Sequence, residues 1–339
     1  MTGSMVNPRP RVGLIGAGGI AGVHLQGWLA LDAQIIIYSL DGAEELAAGH
    51  QGVQVVTDLD ELWPLIDVVD IVTPTATHTE FALAAIGQGK HVVCEKPLAR
   101  TSTEAAEVVD AAEKAGVRLF PAHVVRYFPE YAATHAAVSA GRLGTLAVNR
   151  FRRMSAAPRA EWFFDDAVSG GIVLDQMIHD LDQALWLAGP VETVFAQSTK
   201  QAGEDGKTAT ATVTLTHTSG AISYCFGVWG YPGLAFTYSF EIAGDTGKMG
   251  YDKALDDTAR VQLGGGQSGG GYIPVVPASD SPYAAELADF WSAITTGEQA
   301  RVTGRDGVDA IELAEAALAS IASGEPQRMT RTTEGQVSH

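Results

Sequence analysis

Between Arg11 and about residue 122 the chain alternates short β-branched apolar runs with stretches of helical period. RVGLI, QIIIY, VQVV, VVDIVT, HVVCE and VRLFPA read as strands, and HLQGWLALDA and STEAAEVVDAAEKAG read as helices between them. This alternation predicts a parallel sheet with helices on its faces. Thr77 with Glu80, and Thr101 with Glu104, have capping-box spacing and mark two helix starts, and Gly116 is a stop. After about residue 125 the period changes. PEYAATHAAVSAG predicts a helix, a strand follows near 145–153, and GGIVLDQMIHDLDQALWLAG predicts another helix. ETVFAQST, TATATVTLTH, AISYCFGVW and FTYSFEIAG then follow one another without helices between them, which predicts a large, mainly antiparallel sheet. GGGQSGGG at 264–271 reads as a flexible surface loop, and helices near 282–296 and 304–323 close the chain.

At 339 residues the chain is long enough for two cores, so the change of period marks two domains, 1–125 and 126–339. The fold class is α/β, with a doubly wound first domain and an α+β second domain. A net charge of −18 repels a phosphate backbone, so nucleic acid is excluded as a partner. Cys94 and Cys225 both fall in apolar strand-like runs, as reduced cysteines do, and a reducing cytoplasm is the expected location. No signal-type apolar segment precedes the first strand and no apolar run has membrane-spanning length, so neither secretion nor a membrane partner is expected.

Gly16-Ala17-Gly18-Gly19-Ile20-Ala21 fits GxGxxG/A directly after RVGLI and before a helix. The first glycine permits the tight turn, the second lets backbone approach a pyrophosphate, and the small last residue lets helix and strand pack closely. A simple glycine turn is the plainer reading; the position in the first βα unit favours a dinucleotide. The second strand ends IIIYSLDG, with Ser39 where an acid would bind the ribose of NAD and no Lys or Arg adjacent to recruit the phosphate of NADP. The cofactor is therefore NAD or NADP.

Asp175 and His179 stand four apart on a predicted helix and share a face, with Asp182 a turn further on. An imidazole beside a carboxylate accepts a hydroxyl proton near neutral pH; the same spacing also serves a surface ion pair. Glu95-Lys96-Pro97 ends the strand HVVCE, where open α/β sheets bind ligands, and Pro97 biases Lys96 toward extended backbone. A loop salt bridge is the alternative there.

Several motifs in one order resemble the Gfo/Idh/MocA oxidoreductases, the family of glucose–fructose oxidoreductase and inositol dehydrogenase. They are the loop at 16–21, Thr73-Pro74 with His78, Glu95-Lys96-Pro97, Arg126-Tyr127-Phe128-Pro129, and Gly170-Gly171 leading to Asp175 and His179. EIAGDTGKMGYD and YAAELADFWSAITTGE extend the resemblance over nearly the whole chain. It implies a Rossmann domain, a second domain whose open sheet makes a homodimer or homotetramer, and an active site between them. It also implies Lys96, Asp175 and His179 as catalytic residues. Gly16, Gly18, Gly19, Ile20, Ser39, Thr73, Pro74, His78, Glu95 and Lys96 would bind cofactor. His123 and Arg126 are expected to enter the cleft, although His123-Val124 replaces an asparagine-containing turn found in many relatives. Trp162 either walls a sugar pocket or belongs to the core, and Trp229 and Tyr231 are expected on the sheet face as interface residues. No metal site is expected. The resemblance implies hydride transfer between nicotinamide and a secondary hydroxyl or ketone of a sugar, a cyclitol or a derivative of either. The alternatives are a non-catalytic cofactor-binding sensor on the same fold, and a hydrolase using tightly held NAD.

Overall fold

The computed structural model describes residues 8–203, 206–254 and 281–329; the glycine-rich run 264–271 lies outside the described residues. The first sheet has six parallel strands, β1 (Arg11–Ile15), β2 (Gln34–Tyr38), β3 (Gln54–Val56), β4 (Val68–Ile71), β5 (His91–Glu95) and β6 (Leu119–Ala122). Their order is β3-β2-β1-β4-β5-β6, so the chain reverses direction across the sheet between β1 and β4. That reversal opens a crevice at the strand ends. Helices α1 (Ala21–Ala30), α2 (Ala43–Ala47), α3 (Leu59–Leu62), α4 (His78–Gly87) and α5 (Ser102–Ala115) make the connections. Every residue of β4 and β6 is buried, as strands covered on both faces require.

Helix α5 begins with the expected capping box at Thr101 and ends at Gly116 in the left-handed region, with φ of 68°. The box expected at Thr77 does not form. Thr77 has helical backbone angles inside a short 3-10 turn, and its hydroxyl is 2.8 Å from the Thr73 hydroxyl and 2.9 Å from the Pro74 carbonyl.

The second half contains α6 (Pro129–Ser139), β7 (Leu146–Ala156), α7 (Asp166–Ser169), α8 (Gly171–Asp175) and α9 (Ile178–Ala188). Strands β8 (Val191–Gly203), β9 (Gly206–His217), β10 (Ile222–Gly230), β11 (Thr237–Gly244) and β12 (Lys248–Asp252) follow, then α10 (Pro282–Thr296), α11 (Gly304–Ser323) and β13 (Gln327–Arg328). The sheet order is β12-β11-β7-β10-β9-β8-β13, antiparallel except where β7 meets β10. Along β10 the period of two sends Cys225, Gly227 and Trp229 inward and Tyr224 and Phe226 outward. Trp229 is therefore not an interface residue. It is fully buried and meets Phe163 and Phe164 edge-on, while Tyr231 sits half-buried in the turn after β10.

The closing helices tie the halves together. Gly27 of α1 leaves room for Leu287 of α10, whose Cδ1 would lie 2.8 Å from a Cβ there, and Phe290 stacks on Phe120 at 4.7 Å. Glu315 of α11 accepts hydrogen bonds from the Ser102 backbone and hydroxyl at the start of α5. Among the described residues no helix is long and apolar enough to cross a membrane.

Candidate active site

The glycine loop leaves β1 with Gly16 at φ of +110°, and a Cβ there would stand 3.1 Å from the Val72 carbonyl. Gly18 has open space where a Cβ would be. The helix behind it, α1, begins with no side-chain cap and no acid in its first turn, so nothing opposes an anion at its positive end. These features fit the pyrophosphate of a dinucleotide. Ser39 is half-buried just past β2.

One turn into α1, His24 is fully buried between two carboxylates: Nδ1 lies 2.8 Å from Asp70 and Nε2 lies 3.0 Å from Glu95. Burial alone would lower its pKa, but Asp70 and Glu95 outweigh burial and raise it well above the usual imidazole range. The result is a buried imidazolium, and Trp28 donates a further hydrogen bond to Asp70. Burial pushes Glu95 upward, yet His24, followed by Lys96, brings it below its ordinary value. Its second oxygen accepts the backbone N–H of Lys96 at 2.9 Å. The lysine thus starts from a carboxylate anchored inside the sheet.

The Lys96–Pro97 peptide is cis. Lys96 Nζ donates to the Asp175 carbonyl at 2.9 Å and stands 3.4 Å from its carboxylate, joining β5 to α8. His78, expected in solvent on the plainer reading, is 1% exposed and bridges the Thr73 and Pro97 carbonyls, each at 2.8 Å. Burial lowers its pKa, so the neutral ring donates to one of them and stitches the Thr73-Pro74 turn to the lysine loop.

Asp175 and His179 do not share one continuous helix. The helix breaks at Gln176-Met177, where the N–H groups of both residues donate to the Ile172 carbonyl, and buried Met177 sits over Gly227, where a Cβ would be 2.5 Å from its Cγ. Both still line the same cavity with Lys96. Burial, followed by the cations Lys96 and Arg153, drives His179 well below the usual imidazole range, so it is a neutral proton acceptor at neutral pH. Its Nδ1 is buried and finds no hydrogen-bond partner among the described residues.

The cavity holds about 750 Å³ and is lined by Gly18, Gly19, Ile20, Thr73, Pro74, His78, Glu95 and Trp162 as well as the three central groups. His123 and Arg126 are corrected: both are buried outside that lining. Arg126 is consumed by Asp182 at 2.6 Å, by Asp306 at 2.9 Å and by the Arg301 carbonyl, so it is a clamp between β6, α9 and α11. His123 lies 3.9 Å from Asp182, too far for a hydrogen bond.

Arg153, Gln176, Tyr283 and Phe236 line the cavity and were missed. Arg153 had a signal: the period of two along RFRRM puts it on the same face as Phe151, a charge on the buried side. His24 had one too, as a lone imidazole within the apolar helix AGVHLQGWLA. Tyr283 and Gln176 had none apart from tertiary contact.

A glycine loop at a switch point, facing a Lys-Asp-His cluster, defines a nicotinamide-dependent oxidoreductase. Residues 10–123 match the family model described as oxidoreductase family, NAD-binding Rossmann fold, and residues 131–250 match the GFO/IDH/MocA C-terminal domain. The chain belongs to the Gfo/Idh/MocA oxidoreductase family. It is 30% identical to myo-inositol 2-dehydrogenase of Thermotoga maritima, over 92% of this chain and 96% of the relative. It is also 30% identical to 1,5-anhydro-D-fructose reductase of Ensifer adhaerens, over 93% of this chain and 97% of the relative. Among solved structures it is similar to GenD2 from gentamicin A biosynthesis in complex with NAD, at 26% identity and a TM-score of 0.83, covering 95% of this chain and 97% of that one.

Proposed function

We propose that the protein interconverts a secondary hydroxyl and a ketone of a sugar, a cyclitol or a derivative of either, using NAD. The observation that carries this reading is the convergence of Lys96, from the end of β5, with Asp175 of α8 and His179 of α9 on one cavity that begins at the glycine loop. NAD supplies the hydride acceptor when bound. The remaining work falls to side chains. His179, held neutral, takes the hydroxyl proton as the C–H bond breaks, and returns it in the reductive direction. Lys96 donates to the same oxygen and stabilises its developing negative charge. Asp175 fixes the ammonium and accepts from a neighbouring hydroxyl. Thr73, Pro74 and His78 flank the nicotinamide end of the cleft. The substrates named for the Thermotoga and Ensifer relatives, a cyclitol and an anhydro sugar, support the substrate class.

Two further readings belong here. A cytoplasmic location is supported by the free, buried cysteines Cys94 and Cys225. A homodimer or homotetramer through the second sheet is supported by its outward aromatic residues Tyr224 and Tyr251.

Lys96→Ala tests the mechanism. Turnover of inositols and aldoses, followed as NADH absorbance at 340 nm, should fall at least about a thousandfold, as for loss of a principal electrostatic stabiliser. NAD binding by calorimetry should persist. A variant with wild-type turnover on a substrate the parent oxidises would remove Lys96 from the chemistry.

A further inference from the structure

The cavity is polar at one end and aromatic along a side, and its remaining polar groups are already occupied. Gln176 accepts from Ser155 at 2.8 Å and donates to the carbonyls of Arg153 at 3.1 Å and Val228 at 3.4 Å. Arg153 donates to Asp180 at 3.2 and 2.9 Å, and its guanidinium carbon lies 6.0 Å from the Phe236 ring centre and 5.7 Å from that of Tyr238. Among the described residues, apart from Thr73 and Thr75 at the glycine-loop end, the Trp162 indole N–H, the Tyr283 hydroxyl and Arg159 at the exposed rim, the polar lining able to meet substrate is Lys96, Asp175 and His179. That set serves one reacting carbon and a neighbouring hydroxyl.

The wall carries the opposite chemistry. Trp162 and Phe163 stack at 3.7 Å with an interplanar angle of 23°, and buried Trp229 braces Phe163 edge-on at 6.1 Å. Phe128, Phe236 and Pro158 extend the apolar lining. A free cyclitol or hexose brought here leaves hydroxyls facing carbon, and each unpaired hydroxyl costs about tenfold to a hundredfold in binding. A flat apolar group on the same wall exchanges water for aromatic contact.

We infer that the substrate is a sugar or cyclitol carrying a flat apolar substituent, such as an aryl glycoside or aryl ether, that lies on the Trp162–Phe163 wall while one ring hydroxyl reaches Lys96 and His179. This rests on the oxidoreductase reading above and narrows its substrate class.

The test uses the NAD-loaded full chain and matched phenyl and methyl α- and β-glucosides and galactosides, with free myo-inositol, glucose and galactose alongside. Initial rates and tryptophan-fluorescence titrations are both read. At least one phenyl glycoside should exceed its methyl partner by about tenfold in kcat/KM, mainly through KM, and should bind correspondingly tighter. Trp162→Ala should shrink that ratio by about tenfold and Trp162→Phe should keep most of it, with melting temperature and NAD affinity confirming that both variants fold. Methyl partners equal to or better than phenyl in every pair would overturn the inference. So would oxidation of free inositol or hexose with no glycoside bound or turned over, although the oxidoreductase reading would survive that result. Absence of turnover for every probe, with NAD bound, would count against both.

Discussion

At the scale of single residues, two buried histidines hold different protonation states, His24 charged and His179 neutral, for reasons the structure makes explicit. His24 has two carboxylates against its ring that outweigh burial and raise it, whereas His179 is lowered by burial first and then by the cations Lys96 and Arg153. Their linkage to stability has opposite signs. The raised His24 stabilises the fold below its unfolded pKa, and that contribution is lost as pH rises through the folded value. The lowered His179 costs stability as pH falls below about 6.5, where the unfolded chain takes up a proton that the folded chain does not. Stability therefore mixes the two, while turnover isolates His179. In the oxidative direction kcat/KM should hold its plateau down through 6.5 and fall only at more acidic pH, because the proton acceptor stays neutral there. A pH–rate profile whose acid limb is centred at or above 6.5, and is absent in His179→Asn, would contradict the buried neutral imidazole. That Lys96, Asp175 and His179 share one cavity was legible in the sequence because each sits in a short local pattern, Lys96 at a predicted strand end and the other two a turn apart on a predicted helix. Arg126 was misread for the converse reason. A cation after β6 looks like a ligand group until Asp182 and Asp306, distant in sequence, neutralise it.

At the scale of elements, the strands and the closing helices could be read from period alone, since burial on one or both faces writes itself into the order of apolar residues. The break between α8 and α9 could not. GGIVLDQMIHDLDQALWLAG has helical period throughout, and at the interruption Met177 packs against the bare backbone of Gly227 on a strand of the second sheet. That contact falls between Asp175 at the end of α8 and His179 near the start of α9, so disturbing it disturbs the segment that carries both. Gly227→Ala would put a Cβ 2.5 Å from Cγ of the fully buried Met177. Overpacking of this kind costs about 1–3 kcal/mol, and pushing the break outward displaces Asp175 and His179, the groups proposed for the chemistry. Urea denaturation should show that loss, and kcat should fall by about tenfold or more, with NAD affinity little changed because the glycine loop is elsewhere. Wild-type kcat in a folded Gly227→Ala variant would show that the break tolerates the shift.

At the scale of the molecule, one sheet is covered on both faces and the other on one. Helices α9 and α11 lie on the inner face of the second sheet, while Arg150, Arg152, Tyr224, Phe226 and Tyr251 occupy a shallow depression on the outer one. Tyr224 and Tyr251 are 44% and 37% exposed, large apolar surfaces that a partner would remove from water. The same face carries paired charges, Arg150 with Glu241 and Arg152 with Asp252, which suit a self-complementary contact about a twofold axis. Period of two could indicate which residues point outward but not whether Trp229 or Tyr224 did so, because register is set by the neighbouring strands. Light scattering after size exclusion should give a dimer or tetramer mass for the wild type. Tyr224→Arg would place a third cation beside Arg150 and Arg152, and should shift the mass toward the monomer, more at low salt than at high salt. A wild-type mass of one chain at micromolar concentration, or an oligomer indifferent to Tyr224→Arg, would move the interface away from this sheet.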